Sequence, residues 1–443
     1  MTNLNHLLHN NRVTDHPVDI EAKDASSPEP RASLWRHGGF LKLWSGETLS
    51  QIGTQLGVLA IPVLAVTLLG ATEWQIGLLN AAETAAFLVV GLPAGAWVDR
   101  MLKRRVMIAA DLARAVALAF IPALWFLGAL EMWHVYAVAV VVGVATVFFD
   151  VSYQSYVPIL VQARSIADAN SKLEASAQVA RIGGPAIGGA LLTIVTAPLI
   201  VLATSIGYLF SLGFLVRIRD DEQPAPRAER RALWREIGEG VGFVWGNRLI
   251  RRITANTAAV NFFGTITMTL LPILVLRELA FDPTVLGVVL TVGSIGGLLG
   301  AIATPRLTKR LGEGTIIPVG ALLGGVAGFG VPLAATFPSL AIPLLVVGEF
   351  GMSFAVLVYN VAQVSFRQRV CPQPLLGRMN ASIRCAVWGV LPLGSLVAGA
   401  LGQMIGVEAT MWAGALGGLA SVALVVFSPL MGMRRLPDGA TQP

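Results

Sequence analysis

The sequence predicts an all-α polytopic membrane protein, with twelve transmembrane helices arranged as two parallel six-helix repeats. Three observations lead there: a composition too apolar for a soluble core, a succession of apolar runs long enough to cross a bilayer, and a second half that repeats the motifs of the first.

Of 443 residues, 55% are hydrophobic and only 13% charged, about half the charge of an ordinary soluble domain. Mean hydropathy is +0.69. The net charge of +6 does not point to nucleic acid, because the basic residues fall in short clusters between apolar runs, as in membrane loops. Cys371 and Cys385 have no metal-ligand spacing and no partner histidine, so neither zinc nor a disulfide is expected. No cofactor or metal is implied. Phosphate-loop, zinc-protease and serine-hydrolase motifs are absent, which argues against an enzyme and against ATP as the energy source on this chain.

A bilayer crossing takes about 20 apolar residues. Residues 1–38 are polar and lack an apolar signal core, and read as a disordered tail. Spans one to four fall at Thr48–Thr72, Trp74–Val98 (broken only by Glu83), Val106–Leu130 and Met132 to about Tyr153. The uncharged run Ile182–Val216 is too long for one crossing and is divided at Thr196-Ala197-Pro198. Span five must therefore begin near Ser171, which carries Arg181 to mid-depth, and span six covers Leu199–Val216. Residues 218–251 form a polar linker with an amphipathic helix from Ala232 to Leu249. Residues 252–433 hold spans seven to twelve: Ile253–Leu276, Pro283–Thr304, a run from Gly314 to about Phe366 divided at Thr336–Ser339, then Met379–Ile405 and Ala409–Met431. Glu349 is expected near mid-depth, and Arg384 near the inner end of span eleven. Residues 434–443 are a second tail. Alternate loops hold nearly all the Lys and Arg, while Arg277 is the only base in the opposite set; the basic loops and both termini are expected in the cytoplasm.

The repeat is read from motifs. Gly91, Gly95, Arg104 and Arg105 recur as Gly296, Gly300, Lys309 and Arg310, each 205 positions later, and Tyr153-Gln154 recurs as Tyr359-Asn360 at 206. Thr304 stands where the first copy has Asp99. Parallel repeats about an axis normal to the membrane are one transporter design.

Gly95-x-x-x-Asp99-Arg100-x-x-Lys103-Arg104 resembles the cytoplasmic loop signature of the major facilitator superfamily, with Leu102 in place of a glycine. Gly184-Pro185-Ala186-Ile187-Gly188-Gly189 resembles the core of the signature of its antiporter branch. Leu92-Pro93-Ala94-Gly95, Asp111-Leu112-Ala113-Arg114 and Asp168-Ala169-Asn170 are similar to a bacterial subgroup that includes enterobactin exporters and macrolide efflux proteins. The resemblance implies the major facilitator fold, a monomer, alternating access, and proton-coupled efflux of a small amphipathic molecule such as a drug, siderophore or secondary metabolite. Its partners would be that substrate, protons and the lipid of a bacterial inner membrane. An importer or uniporter on the same fold, and a sensor or scaffold that transports nothing, stay open.

In the family the loop residues form a conformational charge network, so Asp99, Arg100, Lys103 and Arg104 are gating candidates with Asp150 as their counter-charge. Charges at mid-depth are costly and are usually paired or functional. Glu83 is the candidate proton or cation carboxylate with Arg181 as its partner, and Glu349 is a further candidate; a static salt bridge is the alternative for the pair. Asp111 and Arg114, three apart, read as a local structural pair. Gly184, Pro185, Gly188 and Gly189 permit close contact and a bend in span five. Gln51, Gln55, Asn261, Phe262, Phe263 and Trp388 are candidate pocket residues.

Overall fold

The computed structural model describes residues 34–98, 100–162, 165–219, 222, 233–372 and 375–434. Asp99, most of the two tails and part of the linker therefore lie outside the described residues.

The first bundle comprises α1 (Gly38–Val63), α2 (Glu73–Val89), α3 (Gly91–Val98), α4 (Lys103–Phe126), α5 (Met132–Leu160), α6 (Ile166–Leu191) and α7 (Ala197–Val216). α8 (Leu233–Gly246) follows, lying against α14 and α9. The second bundle comprises α9 (Arg248–Ile273), α10 (Pro283–Leu311), α11 (Ile316–Ala327), α12 (Gly330–Thr336), α13 (Ala341–Val370), α14 (Leu376–Trp388), α15 (Val390–Ile405), α16 (Val407–Ser421) and α17 (Ala423–Val426). Among the described residues, ten helical rods are long and apolar enough to cross a membrane. The two remaining places are taken by α2 with α3, broken at Val90, and by α6, which carries several charges.

Local chemistry sets the helix ends. His37 Nδ1 accepts the Phe40 N–H at 3.0 Å, so α1 begins ten residues before the uncharged run at Thr48. Residues 34–38, expected in the disordered tail, are thereby tied down, with Leu34 buried and Trp35 edge-on to Trp44. Thr72 and Gln75 form a reciprocal cap on α2, and Asp282 accepts the Thr284 N–H at 2.8 Å at the start of α10.

The repeat is present, but its register is 210. Pro62 and Pro272 sit inside α1 and α9, each followed by a π turn, Leu64–Leu68 and Leu274–Glu278. Gly70 (φ +59°) and Ala280 (φ +49°) both adopt the left-handed conformation beyond those turns. The offset of 205 read from the motifs is corrected accordingly. Arg104 and Arg105 open α4, whereas Lys309 and Arg310 close α10. The basic residues have slipped across the loop, which a topological role permits because any position in the interfacial layer serves.

The halves meet at two crossings related by that register. A methyl group on Gly77 of α2 would stand 2.6 Å from Ser395 O and 2.8 Å from Gly399 Cα of α15. One on Gly287 of α10 would stand 2.4 Å from Pro185 O and 3.0 Å from Gly189 Cα of α6. Only glycine lets backbones approach so closely. Beside them Arg277 pairs with Glu73 across the halves at 3.2 Å and donates to Ala71 O, and the Thr284 hydroxyl donates to Gly189 O at 3.3 Å. The end that carries the acidic loops is thus closed. Toward the basic loops a cavity of about 300 Å³ separates α2 and α5 from α14.

Candidate functional site

The first bundle buries charge. On α1, Glu47 and Gln51 share one face, and Gln51 Nε2 donates to Glu47 Oε1 at 2.6 Å. Glu47 is 6% exposed, and its Oε2 has no hydrogen-bond partner among the described residues. On α4, Asp111 and Arg114 form a buried ion pair. The Arg114 guanidinium lies between Phe149 of α5 and Tyr208 of α7, 4.2 Å from each ring centroid, an arrangement favoured by the aromatic quadrupoles. Tyr208 shares a hydrogen bond with Thr54 of α1 at 2.8 Å, which closes a ring of four helices. Arg114 is also within electrostatic reach of Glu47 and Asp150. Asp150 is within such reach of Arg384 as well.

Open space adjoins this cluster. A cavity of about 430 Å³ is lined by Glu47, Gln51, Tyr153, Gln154, Glu174 and Arg181. Gln154 also lines the space between the halves, where Asp150 of α5 faces Arg384 of α14, so the two spaces adjoin. Arg384 lies 5.2 Å from the ring centroid of Trp388, which in turn meets Phe87 of α2 edge-on.

The residues singled out in the sequence fall into distinct places. Glu83 lines a separate cavity of about 120 Å³ together with Asn80, Thr54 and Tyr208. Arg181 lines the larger cavity, and no ion pair joins it to Glu83 among the described residues. Their expected pairing is corrected: α2 and α6 present the two side chains to different spaces. Glu349 is buried against Gly293 of α10 and accepts from Ser353 at 3.3 Å. It is the ninth residue of the 30-residue α13, about 12 Å from the helix end nearer the acidic loops and about 10 Å from the helix middle.

Asp150 makes no ion pair with Lys103 or Arg104 among the described residues. The backbone N–H groups of Lys103 and Arg104 instead donate to Glu222 at 2.6 and 3.2 Å, and the Arg104 side chain donates to Ile218 O. A carboxylate at a helix N-terminus is well placed electrostatically, and this one ties the loop after α3 to the segment after α7. Arg100 is exposed. α6 runs unbroken through Pro185, with Gly184 against Gln55, Gly188 against Leu56 and Leu59, and Gly189 at the crossing. Asn261 and Phe263 line a hollow in the second bundle, while the Phe262 carbonyl packs on Gly394.

Sequence reasoning missed Glu47, Glu222 and the facing of Asp150 by Arg384. Glu47 lies one residue outside the uncharged run, and the signal that includes it is the cap at His37. Among the described residues, no group of three His, Cys, Asp or Glu side chains gathers as for a metal.

The chain matches the model for transmembrane secretion effectors over residues 31–439, and it belongs to that family of bacterial major facilitator transporters. It is a multi-pass membrane transporter, and the family and fold point away from enzymatic activity. It is 26% identical over 404 residues to the multidrug efflux pump Tap of Mycolicibacterium fortuitum, spanning 89% of this chain and 96% of that pump. In fold it is similar to the nucleoside transporter NupG (TM-score 0.72, 12% identity, 88% and 99% covered) and to a bacterial homologue of the iron transporter ferroportin in an inward-facing state (TM-score 0.69, 16% identity, 88% and 98% covered).

Proposed function

We propose that this chain exports small amphipathic cations in exchange for protons, acting as a monomer in the bacterial inner membrane with both termini and the basic loops in the cytoplasm. The observation that carries the reading is Glu47: it is buried on α1 with its Oε2 lacking a hydrogen-bond partner among the described residues beside a cavity, while the nearby Arg114 is already paired with Asp111. Unbalanced charge at membrane depth is costly, so the balance is completed either by a proton or by a cationic substrate. One carboxylate serving both in turn is the elementary requirement of exchange. The relation to a multidrug efflux pump supports export.

The positions support a sequence of steps. With the glycine crossings closed, substrate enters from the basic-loop side, passes Asp150 and Arg384, and displaces a proton from Glu47. Rocking of the halves then breaks the Gly77 and Gly287 crossings and the Glu73–Arg277 pair, and draws Asp150 toward Arg384. On the far side a proton replaces the substrate. Glu83, in its own cavity beside Tyr208, is a second station for the proton. Lys103 and Arg104 tie the loop that must shift, with Asp99 and Arg100 as further gating candidates.

The test is accumulation of fluorescent cations, macrolides and siderophores in efflux-deficient bacteria, with and without an uncoupler. Exclusion of a compound that the uncoupler and Glu47→Gln both abolish supports the reading. Exclusion that ignores the uncoupler contradicts proton coupling, and enhanced accumulation would make the chain an importer.

A further inference from the structure

The second bundle contains a hollow at the place where the first holds its ion pair. α9, α11, α13 and α16 enclose about 80 Å³ of free space. At the register of 210, Asp111, Arg114 and Tyr208 correspond to Ala321, Gly324 and Gly418, and all three of these line the hollow. The space that a guanidinium, a carboxylate and a phenol fill in one half is left open in the other.

Its chemistry is specific. Among the described residues no charged side chain lines it; its walls are mostly glycines with apolar side chains such as Phe263, Met352 and Val356, and Asn261, Thr267 and Asn360 also border it. One corner is polar. Tyr359, at the position of Phe149, adds a hydroxyl that accepts from Asn256 Nδ2 at 3.0 Å and shares a hydrogen bond with Thr257 at 2.7 Å. Asn256 is fully buried, lines the hollow, and among the described residues has no hydrogen-bond partner for its Oδ1. A buried acceptor left unpaired is costly, and a donor that enters the hollow and reaches Oδ1 relieves that cost.

We propose that this hollow is a binding site for a small neutral molecule, largely apolar, that carries one hydroxyl or N–H donor, with phenols and aromatic alcohols as the fitting class. The donor bonds Asn256 Oδ1 while the ring lies against Phe263 and the glycine wall. A single water needs about 10–15 Å³ of such space, so the hollow takes one ring-sized molecule or a few waters. The site is separate from the polar cavity of the first bundle and does not rest on the direction or coupling of transport.

The experiment is ¹⁹F NMR of 4-fluorophenol with the full-length protein in lipid nanodiscs, with empty nanodiscs as the reference for partition into lipid. A saturable bound signal is expected with the wild type. It should vanish in Gly324→Leu, which fills the hollow from α11, where an added carbon meets only Ala355 Cβ at 3.4 Å. Gly264→Val, entering from α9, provides a second filling variant should the first fold poorly. Fluorobenzene, which lacks the donor, should bind about tenfold more weakly, the worth of one hydrogen bond. A wild-type signal no different from empty nanodiscs means that the hollow holds water alone, and overturns the proposal. So does binding that survives in a folded filling variant, or equal affinity for fluorobenzene.

Discussion

The two bundles share a backbone plan and differ in what they bury. The first packs Glu47, Asp111, Arg114 and Asp150 among its helices, with Glu83, Glu174 and Arg181 on its cavities. The second keeps the same proline, π turn and left-handed residue at the same register, yet holds neutral Asn256, Thr257, Tyr359 and a glycine-walled hollow where the first has its ion pair. The difference separates two jobs that one fold could otherwise be thought to share equally. The helical frame is duplicated, whereas the buried ion pair is present in one copy. The second bundle still buries Glu349 and Arg367, and its Arg384 faces the first half.

The comparison breaks most visibly at Arg114. Arg114→Leu leaves Asp111 buried without its partner and is expected to cost about 3–5 kcal/mol, whereas Asp111→Leu with Arg114→Leu should lose far less, because the second bundle stands with Ala321 and Gly324 at those places. Thermal unfolding in detergent checks both; a double variant less stable than the single would mean that the neutral bundle is no guide to the charged one.

The duplicated frame predicts symmetry at the crossings. Gly287→Leu forces α10 from α6 and, through the rigid halves, parts α2 from α15. In that background a cysteine at Ser395, fully buried against Gly77 in the parent, should react with maleimide about tenfold faster, equivalent to a shift of about 1.4 kcal/mol toward the open end. The exposed Cys385 is first replaced by serine. Unchanged labelling would show that the crossings act independently.

Smaller differences sharpen the picture. Ala280 holds the left-handed conformation that Gly70 holds in the first half, so Ala280→Gly is expected to stabilise by roughly 1 kcal/mol and Gly70→Ala to destabilise by a similar amount, read as opposite shifts in melting temperature. The caps of α2 and α10 differ in charge. Hydrogen bonds from the Thr284 hydroxyl and N–H hold the Asp282 carboxyl below the ordinary carboxylate range. A depressed folded pKa contributes stability above the unfolded value of about 3.9 and loses it as pH falls through the folded value. The stability advantage of the wild type over Asp282→Asn should therefore be small at neutral pH, since the group is exposed, and should disappear in acid; an advantage that persists in acid would assign the effect to shape rather than charge.

How much of this was legible in the sequence follows from what a bilayer enforces. Apolar runs, their division at Thr196–Pro198 and Thr336–Ser339, and the bias of basic loops are one-dimensional consequences of hydrocarbon thickness, so the polytopic all-helical fold could be read directly. The pairing of side chains could not. Glu83 and Arg181 both lie deep, but which face of α2 and α6 each occupies depends on packing that spacing alone does not determine. The motif register differs from the structural one by five because basic loop residues need only stay in the interfacial layer, whereas the duplicated structure is marked by Pro62 and Pro272 and by the glycines of the crossings. Glu47 was missed because apolar length marks the bilayer, and α1 continues beyond it to the His37 cap.

The central claim is that coupling resides in the first bundle, at Glu47. The most direct measurement is uptake of a transported fluorescent cation into proteoliposomes driven by an imposed pH gradient, compared among the wild type, Glu47→Gln and Glu349→Gln. The account predicts gradient-driven transport in the wild type, its loss by more than about tenfold in Glu47→Gln, and little change in Glu349→Gln, whose carboxyl is sealed between α10 and α13. Gradient-driven transport intact in Glu47→Gln and lost in Glu349→Gln would place the coupling charge in the second bundle and contradict the account.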